Sequence, residues 1–328
     1  MSPLITIVII TWNSRKFLPY CLESIFEQTF KDFSIIIVDN GSTDGTVEYI
    51  KQEYPMATCL KNFKNLGFCR ANNQGIHLAK GEYVLLCNTD IILKNDFLKN
   101  AMKTIESDKN IASVGGKLLK AKWDSEELPK PIKTDIIDSC GLRVLKSHHV
   151  VERGENEKDE DQYSKPEEIF GISGALMLLR KSALEDIKYK EEYFDENFFS
   201  YKEDVDLDWR FRLAGYISRY NPQAHAYHFR GVSKGDDRKT RSKLINQLSY
   251  KNHLLSLLKN LTFANLVFYF PFIFFYELKK LVYVLLFEQS TFPGLFKFFS
   301  QLGETLDKRR FIMKGKQVSD KEIRGWIT

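Results

Sequence analysis

The first 110 residues alternate between continuous apolar runs and segments with helical spacing, and this pattern restricts the fold more than any other feature. The apolar runs are Ile5 to Ile10, Phe33 to Val38, a shorter one at Thr58 to Leu60, and Tyr83 to Cys87. Runs that do not alternate with polar residues read as strands covered on both faces. Between them, Leu18, Cys21, Leu22, Ile25 and Phe26 fall on one helical face, Val47 to Ile50 begin a second helix, and a third runs from about Cys69 to Ala79. Strands and helices in this order imply right-handed crossovers and a parallel sheet. The polar residues that end the strands then collect on one edge, where open α/β sheets bind ligands. Thr11, Asp39 and Asp90 are therefore expected in one crevice.

A helix from Asp96 to Glu106 and a strand from Ile111 to Val114 complete this half. Clean periodicity is lost from Lys117 to Glu168, which contains Pro129, Pro131 and a polar loop from Glu152 to Glu168. Ile169 to Leu179 reads as a strand. It carries the small residues Gly171, Ser173, Gly174 and Ala175, which allow another backbone or a ligand to come close. A short helix is expected over Lys181 to Ile187. The next, Glu203 to Ala214, has an acidic first turn that suits the helix dipole and ends at Gly215. Short strands over Ile217 to Tyr220 and Ala224 to His228 precede helices that continue to the end. The domains expected are 1–237, divided near residue 116, and a helical region over 238–328.

The most apolar stretch, Leu261 to Tyr276, is shorter than the roughly 20 residues of a spanning helix. Pro271 is expected to interrupt it, and Lys279 and Lys280 separate it from Leu281 to Phe287. With Lys297, Lys308, Arg309 and Arg310 nearby, the region reads as aromatic-rich helices lying in a membrane interface. The other reading is that these helices cover the first domain or form a homo-oligomer contact.

With 328 residues and a net charge of +5, the chain is mildly basic. That suits an anionic ligand or membrane surface and is too weak to argue for nucleic acid. Five scattered cysteines without a Cys-x-x-Cys pair read as reduced thiols of the cytosol. The amino terminus has no signal-peptide pattern, so the expected location is cytoplasmic, peripheral on the inner face of the cell membrane.

Taken alone, Asn88-Thr89-Asp90 is a turn ending a strand, and only its context raises it to a metal or phosphate site. The context is a set of motifs in order: Val8 to Asn13, Val38-Asp39-Asn40-Gly41-Ser42-Thr43-Asp44-Gly45-Thr46, Asn65-Leu66-Gly67-Phe68, Asn72-Asn73-Gln74-Gly75, Leu86 to Asp90, and Glu203-Asp204-Val205-Asp206. Together they resemble glycosyltransferase family 2, closest to its rhamnosyltransferase-like branch, over residues 4 to 233. The resemblance implies a GT-A fold, that is, a Rossmann-like nucleotide-binding mixed sheet flanked by helices, here with a C-terminal helical extension. It implies that Asp39 reads the base, that Thr11 and Asn13 flank base and ribose, and that Asn65, Gly67 and Asn73 line the nucleotide and donor sugar. Asp90 matches the metal-binding end of the family's Asp-x-Asp motif. Asn88 stands where the first Asp would be, able to coordinate or to contact the ribose.

His228, in His228-Phe229-Arg230-Gly231-Val232-Ser233, matches the further ligand of a Mg²⁺ or Mn²⁺ ion. His225 is its competitor, turned to the opposite face by strand alternation. Asp204 matches the general base of an inverting transfer, and Arg210 a structural partner of the carboxylates. The implied reaction moves one sugar from a UDP- or dTDP-sugar, dTDP-L-rhamnose first, to a saccharide or lipid-linked saccharide in surface-polysaccharide synthesis. A dehydrogenase needs glycines after the first strand, and Thr11 to Ser14 contains none. The remaining alternative is a non-catalytic, membrane-attached nucleotide-sugar or glycan-binding subunit.

Overall fold

The computed structural model describes residues 2–124, 131–229 and 243–328. Strands β1 (Ile5–Thr11), β2 (Phe33–Asp39), β3 (Thr58–Lys61) and β4 (Tyr83–Asn88) alternate with helices α1 (Leu18–Phe26), α2 (Thr46–Glu53) and α3 (Phe68–Leu78). β1 pairs in parallel with β2 and β4, and β2 with β3. The expected parallel unit therefore forms. Its interior holds Ile7, Ile9, Leu18, Leu22, Ile25, Ile37 and Leu85, all fully buried.

The sheet as a whole is mixed. After β5 (Ile91–Leu93) and α4 (Phe97–Ile105), β6 (Ile111–Trp123) does not lie beside β4. β11 (Leu176–Arg180) inserts between them, antiparallel to both. β12 (Ile217–His228) then pairs in parallel with β6. Instead of two short strands it is one long strand, with an irregularity between Asn221 and His225. The stretch without periodicity contains β7 (Pro131–Ser139), β8 (Leu142–Val144) and β9 (Val150–Glu152). β7 folds back on β6, and β8 and β9 form a separate ribbon. The polar loop beyond them ends in β10 (Glu167–Ile169), which pairs with β12. α5 (Lys181–Ile187) and α6 (Glu203–Leu213) follow β11.

The C-terminal helices are α7 (Lys243–Asn260), α8 (Phe263–Phe287), α9 (Phe292–Ser300), α10 (Leu302–Lys314) and α11 (Asp320–Arg324). α7 packs on α6, and α7 and α10 both reach the segment ahead of it, through buried charges. Lys259 of α7 lies 2.5 Å from Asp195 and 2.8 Å from Asp206, and Lys308 of α10 lies 2.6 Å from Asp195. Pro271 does not interrupt α8, which runs unbroken for 25 residues, about 37 Å. A proline removes one helical N–H bond, and α8 continues through it. Among the described residues no helix is long and apolar enough to cross a membrane.

Candidate active site

Parallel register sets Thr11 at the end of β1 directly beside Asp39 at the end of β2, and Ile10 opposite Asn88. Asp39 is fully buried. Its Oδ2 accepts the Gly41 and Ser42 N–H groups at 3.1 and 3.0 Å, which fixes the carboxylate and turns the chain. Its Oδ1 has no partner, nor has the buried Thr11 Oγ1. Unpaired buried oxygens are costly, and here they form an acceptor position that an incoming N–H or O–H group can satisfy.

The amides expected around the nucleotide are engaged within the chain. Asn13 adopts φ +51°, accepts the Thr43 N–H at 2.8 Å and donates its own to Ser42 Oγ. It ties the first loop to the second. Asn65 Oδ1 accepts the Gly67 N–H at 2.8 Å and an Asn40 amide hydrogen. Gly67 has φ +90°, and a Cβ there would come within 2.5 Å of the Phe199 ring. The close approach it permits is to protein. Asn73 departs most from its expected role: its amide makes a reciprocal pair with the backbone of Phe194, at 2.8 and 2.9 Å. It fastens α3 to the segment ahead of α6 and is buried there. Asn88, half-buried, ends β4 with its N–H donating to Ala175.

β5 runs antiparallel to β12 with Ile91 opposite His228, which brings Asp90 to the histidine. Asp90 Oδ2 lies 3.4 Å from His228 Nε2, and Asp138 Oδ2 lies 2.8 Å from Nδ1. Asp138 falls at an irregularity where the β6 pairing shifts between Ser139 and Ile137. Such a bulge re-aims a side chain, and this one reaches His228. Burial lowers the His228 pKa, but Asp90 and the hydrogen bond to Asp138 overcome it and raise the value to about 10. A carboxylate on Nδ1 fixes the ring so that Nε2 faces Asp90, as second partners of metal-binding histidines do. His225 lies elsewhere, its pKa lowered by burial and by Lys94 and Lys117. Arg230 to Ser233 lie outside the described residues.

Among the described residues no group of three His, Cys, Asp or Glu side chains is arranged to hold a metal ion. Asp90 and His228 form a pair. A pair fits a hard cation that takes its other ligands from a diphosphate and water.

Asp204 stands in the first turn of α6. Its Oδ2 accepts the Gly174 N–H at 2.9 Å and its Oδ1 the Val205 N–H at 2.8 Å. The small residues before β11 serve this helix. A Cβ at Gly174 would lie 3.1 Å from the Asp204 Cβ, and one at Gly171 would strike the Asp208 carboxylate. Burial and Asp204 push Glu203 up to about 8 and raise Asp208 well above the carboxylate range. Two of the acids beside Asp204 are thus driven toward their neutral forms. Arg210 pairs with Asp206 at 3.0 Å and caps the Tyr193 carbonyl, a structural role.

The description Glycosyl transferase family 2 matches residues 6–188, more than half of the chain. The chain belongs to glycosyltransferase family 2. A second description, Glycosyl transferase family group 2, matches residues 139–296 and so extends into the C-terminal helices of this family 2 member. The N-acetylglucosaminyl-diphospho-decaprenol L-rhamnosyltransferase of Mycobacterium tuberculosis is 27% identical over 250 residues, 72% of this chain and 80% of the relative. Among solved structures, residues 1–349 of S. aureus TarS superpose with a TM-score of 0.57 at 16% identity, covering 99% of this chain and 92% of that one. GalNAc-T7 with UDP, GalNAc and Mn²⁺ gives 0.59 at 13% identity, over 79% of this chain but only 48% of GalNAc-T7. These likenesses establish the GT-A fold, and the family establishes a glycosyltransferase.

Proposed function

We propose that this chain is an inverting, metal-dependent glycosyltransferase. It moves a single sugar from a UDP- or dTDP-sugar to a saccharide or lipid-linked saccharide in surface-polysaccharide synthesis. The observation that carries the donor class is Asp39, with one oxygen pinned by two backbone N–H groups and the other buried without a partner. That oxygen suits the N3–H of uracil or thymine, with Thr11 Oγ1 beside it for the base or ribose. The rhamnosyltransferase likeness makes dTDP-L-rhamnose the first donor to try and a diphospho-polyprenol saccharide the first acceptor.

Asp90 and His228, its Nε2 proton released, would hold Mg²⁺ or Mn²⁺, with Asp138 fixing the histidine ring. When bound there, such an ion would offset the charge of the diphosphate leaving group. Asn88, two residues before Asp90 in sequence, would serve as a ribose or metal contact. The acceptor hydroxyl attacks the anomeric carbon from the face opposite the diphosphate and gives its proton to Asp204 as the new C–O bond forms and the bond to phosphate breaks. The Gly174 and Val205 N–H groups hold the Asp204 carboxylate ready for that proton.

The outer helices support a peripheral membrane contact. α8 and α9 expose a row of aromatic and aliphatic residues, among them Phe268, Phe275 at 67%, Phe287 at 74% and Phe296 at 75%. Lys279, Lys280 and Lys297 lie among them. Exposed apolar surface of this extent marks an interaction site, and the lysines suit anionic lipid.

The donor assignment is tested by thermal shift with Mn²⁺ and a panel of nucleotides. Selective stabilisation by UDP, dTDP or their sugars is expected. Equal stabilisation by GDP and ADP would refute it. NMR of the product anomer tests inversion.

A further inference from the structure

The segment leading into α6 is strained. Phe199, Tyr201 and Lys202 all have positive φ, at +64°, +72° and +66°, and none is glycine. Side chains rarely adopt this region, and residues held in it persist only where their surroundings impose the conformation. The three residues stand immediately before Glu203 and Asp204, so their backbone sets where the first turn of α6 begins.

The restraint comes from two sides. On the nucleotide half, the Cys69 N–H donates to the Phe199 carbonyl at 3.1 Å, and the Phe199 ring lies over Gly67. On the other side stands Asn252 of α7, fully buried. Its Nδ2 lies 2.9, 2.8 and 2.7 Å from the carbonyls of Phe198, Ser200 and Tyr201. The two N–H hydrogens of one amide are therefore shared among three carbonyls of the strained turn. Its neighbour Lys251 donates to the Asn197 carbonyl, while Lys259 and Asn260, two turns on, both reach Asp206. The polar face of α7 thus follows the segment from Asn197 to Asp206.

We infer that Asn252 is a positioning residue for the transfer step: it holds the 198–202 turn in its strained form and thereby places the Asp204 carboxylate. This rests on the reading of Asp204 as the base. Asn252 itself is fully buried against the turn and is not a ligand of donor or acceptor. Without its amide the three carbonyls lose their shared donor, the α7 side of the restraint on 198–201 is removed, and the first turn of α6 is held less firmly at its N-terminus. Donor binding, which depends on Asp39, Thr11 and the Asp90–His228 pair, is left as it was.

The test compares Asn252→Ala, Asp204→Asn and the double variant in the full chain. It measures kcat for transfer, Kd for the donor nucleotide UDP or dTDP with Mn²⁺, and hydrogen exchange of the peptide spanning 198–206. For Asn252→Ala the expected result is a fall in kcat of about 10- to 100-fold, with unchanged nucleotide Kd and faster exchange in 198–206. In the Asp204→Asn background the same substitution should cost no further rate, because Asn252 acts only through Asp204. Unchanged kcat with accelerated exchange would overturn the inference, as would a rate loss that persists when Asp204 is already Asn. If Asn252→Ala does not fold, Asn252→Ser, which keeps a single donor, should give an intermediate kcat at unchanged Kd, and wild-type kcat in that variant would overturn the inference. Failure of the base reading looks different: Asp204→Asn alone would then turn over normally.

Discussion

At Asp39 the two carboxylate oxygens have separate duties, one holding a turn and the other facing the site. Asp39→Asn keeps an acceptor for the Gly41 and Ser42 N–H groups but presents an NH₂ to the base. UDP affinity should fall about 10- to 100-fold, the consequence of a buried polar mismatch of ~1–3 kcal/mol, and CDP, whose N3 accepts, should gain relative to UDP. Calorimetric titration with Mn²⁺ checks this, and equal UDP affinity would count against the base contact. Asp138→Asn leaves His228 without its orienting carboxylate, and Mn²⁺ affinity measured by spin resonance should drop by about 10–100-fold. The adjacency of Asp39 and Thr11 was readable in the sequence because each ends an apolar run whose register follows from the βα alternation. Asp138 was not. It comes from a segment without periodicity and meets His228 only through a bulge and the pairing of β6 with both β7 and β12. Asn73 has the polarity of a ligand contact, but its partner is the backbone of Phe194, 121 residues away.

At the scale of elements, α7 is the helix that sequence patterning reads least well. Lys251, Asn252, Ser256, Lys259 and Asn260 look like a solvated face, yet all are buried. Their partners, Asp195, Asp206 and the turn carbonyls, lie about 50 residues or more earlier in the chain. Burial by itself raises the pKa of Asp195, but Lys259 and Lys308 outweigh it and hold the carboxyl below the ordinary range. A depressed carboxyl contributes stability above its unfolded pKa of about 4 and loses it as pH falls toward the folded value. Lys259→Met leaves Asp195 and Asp206 short of a buried partner. It should cost roughly 3–5 kcal/mol in urea unfolding and move the acid-unfolding midpoint upward, whereas an unchanged acid midpoint would show that the pair contributes nothing. The insertion of β11 between β4 and β6 was equally hidden, since its apolar run carries no mark of direction. Pro271 misled for a local reason: helix-breaking is a propensity, and α8 continues through it.

On the scale of the whole molecule, the chain combines a sheet edge built by the first four strands, helix α6 set by long-range contacts, and an outer apolar layer, the proposed places of nucleotide, catalytic base and membrane. Flotation with vesicles containing anionic lipid should carry the full chain upward, and replacing Phe268, Phe275 and Phe287 with Ser should leave it at the bottom with transfer to a soluble acceptor intact. A dimer by light scattering that the same substitutions dissolve, without flotation, would assign the face to a second copy. The role of Asp204 as the base is tested most directly by measuring transfer by Asp204→Asn alongside its nucleotide Kd with Mn²⁺. Transfer should fall by about 10²- to 10⁴-fold, the usual contribution of a general base, with nucleotide affinity unchanged. Near-normal turnover in that variant would contradict that role.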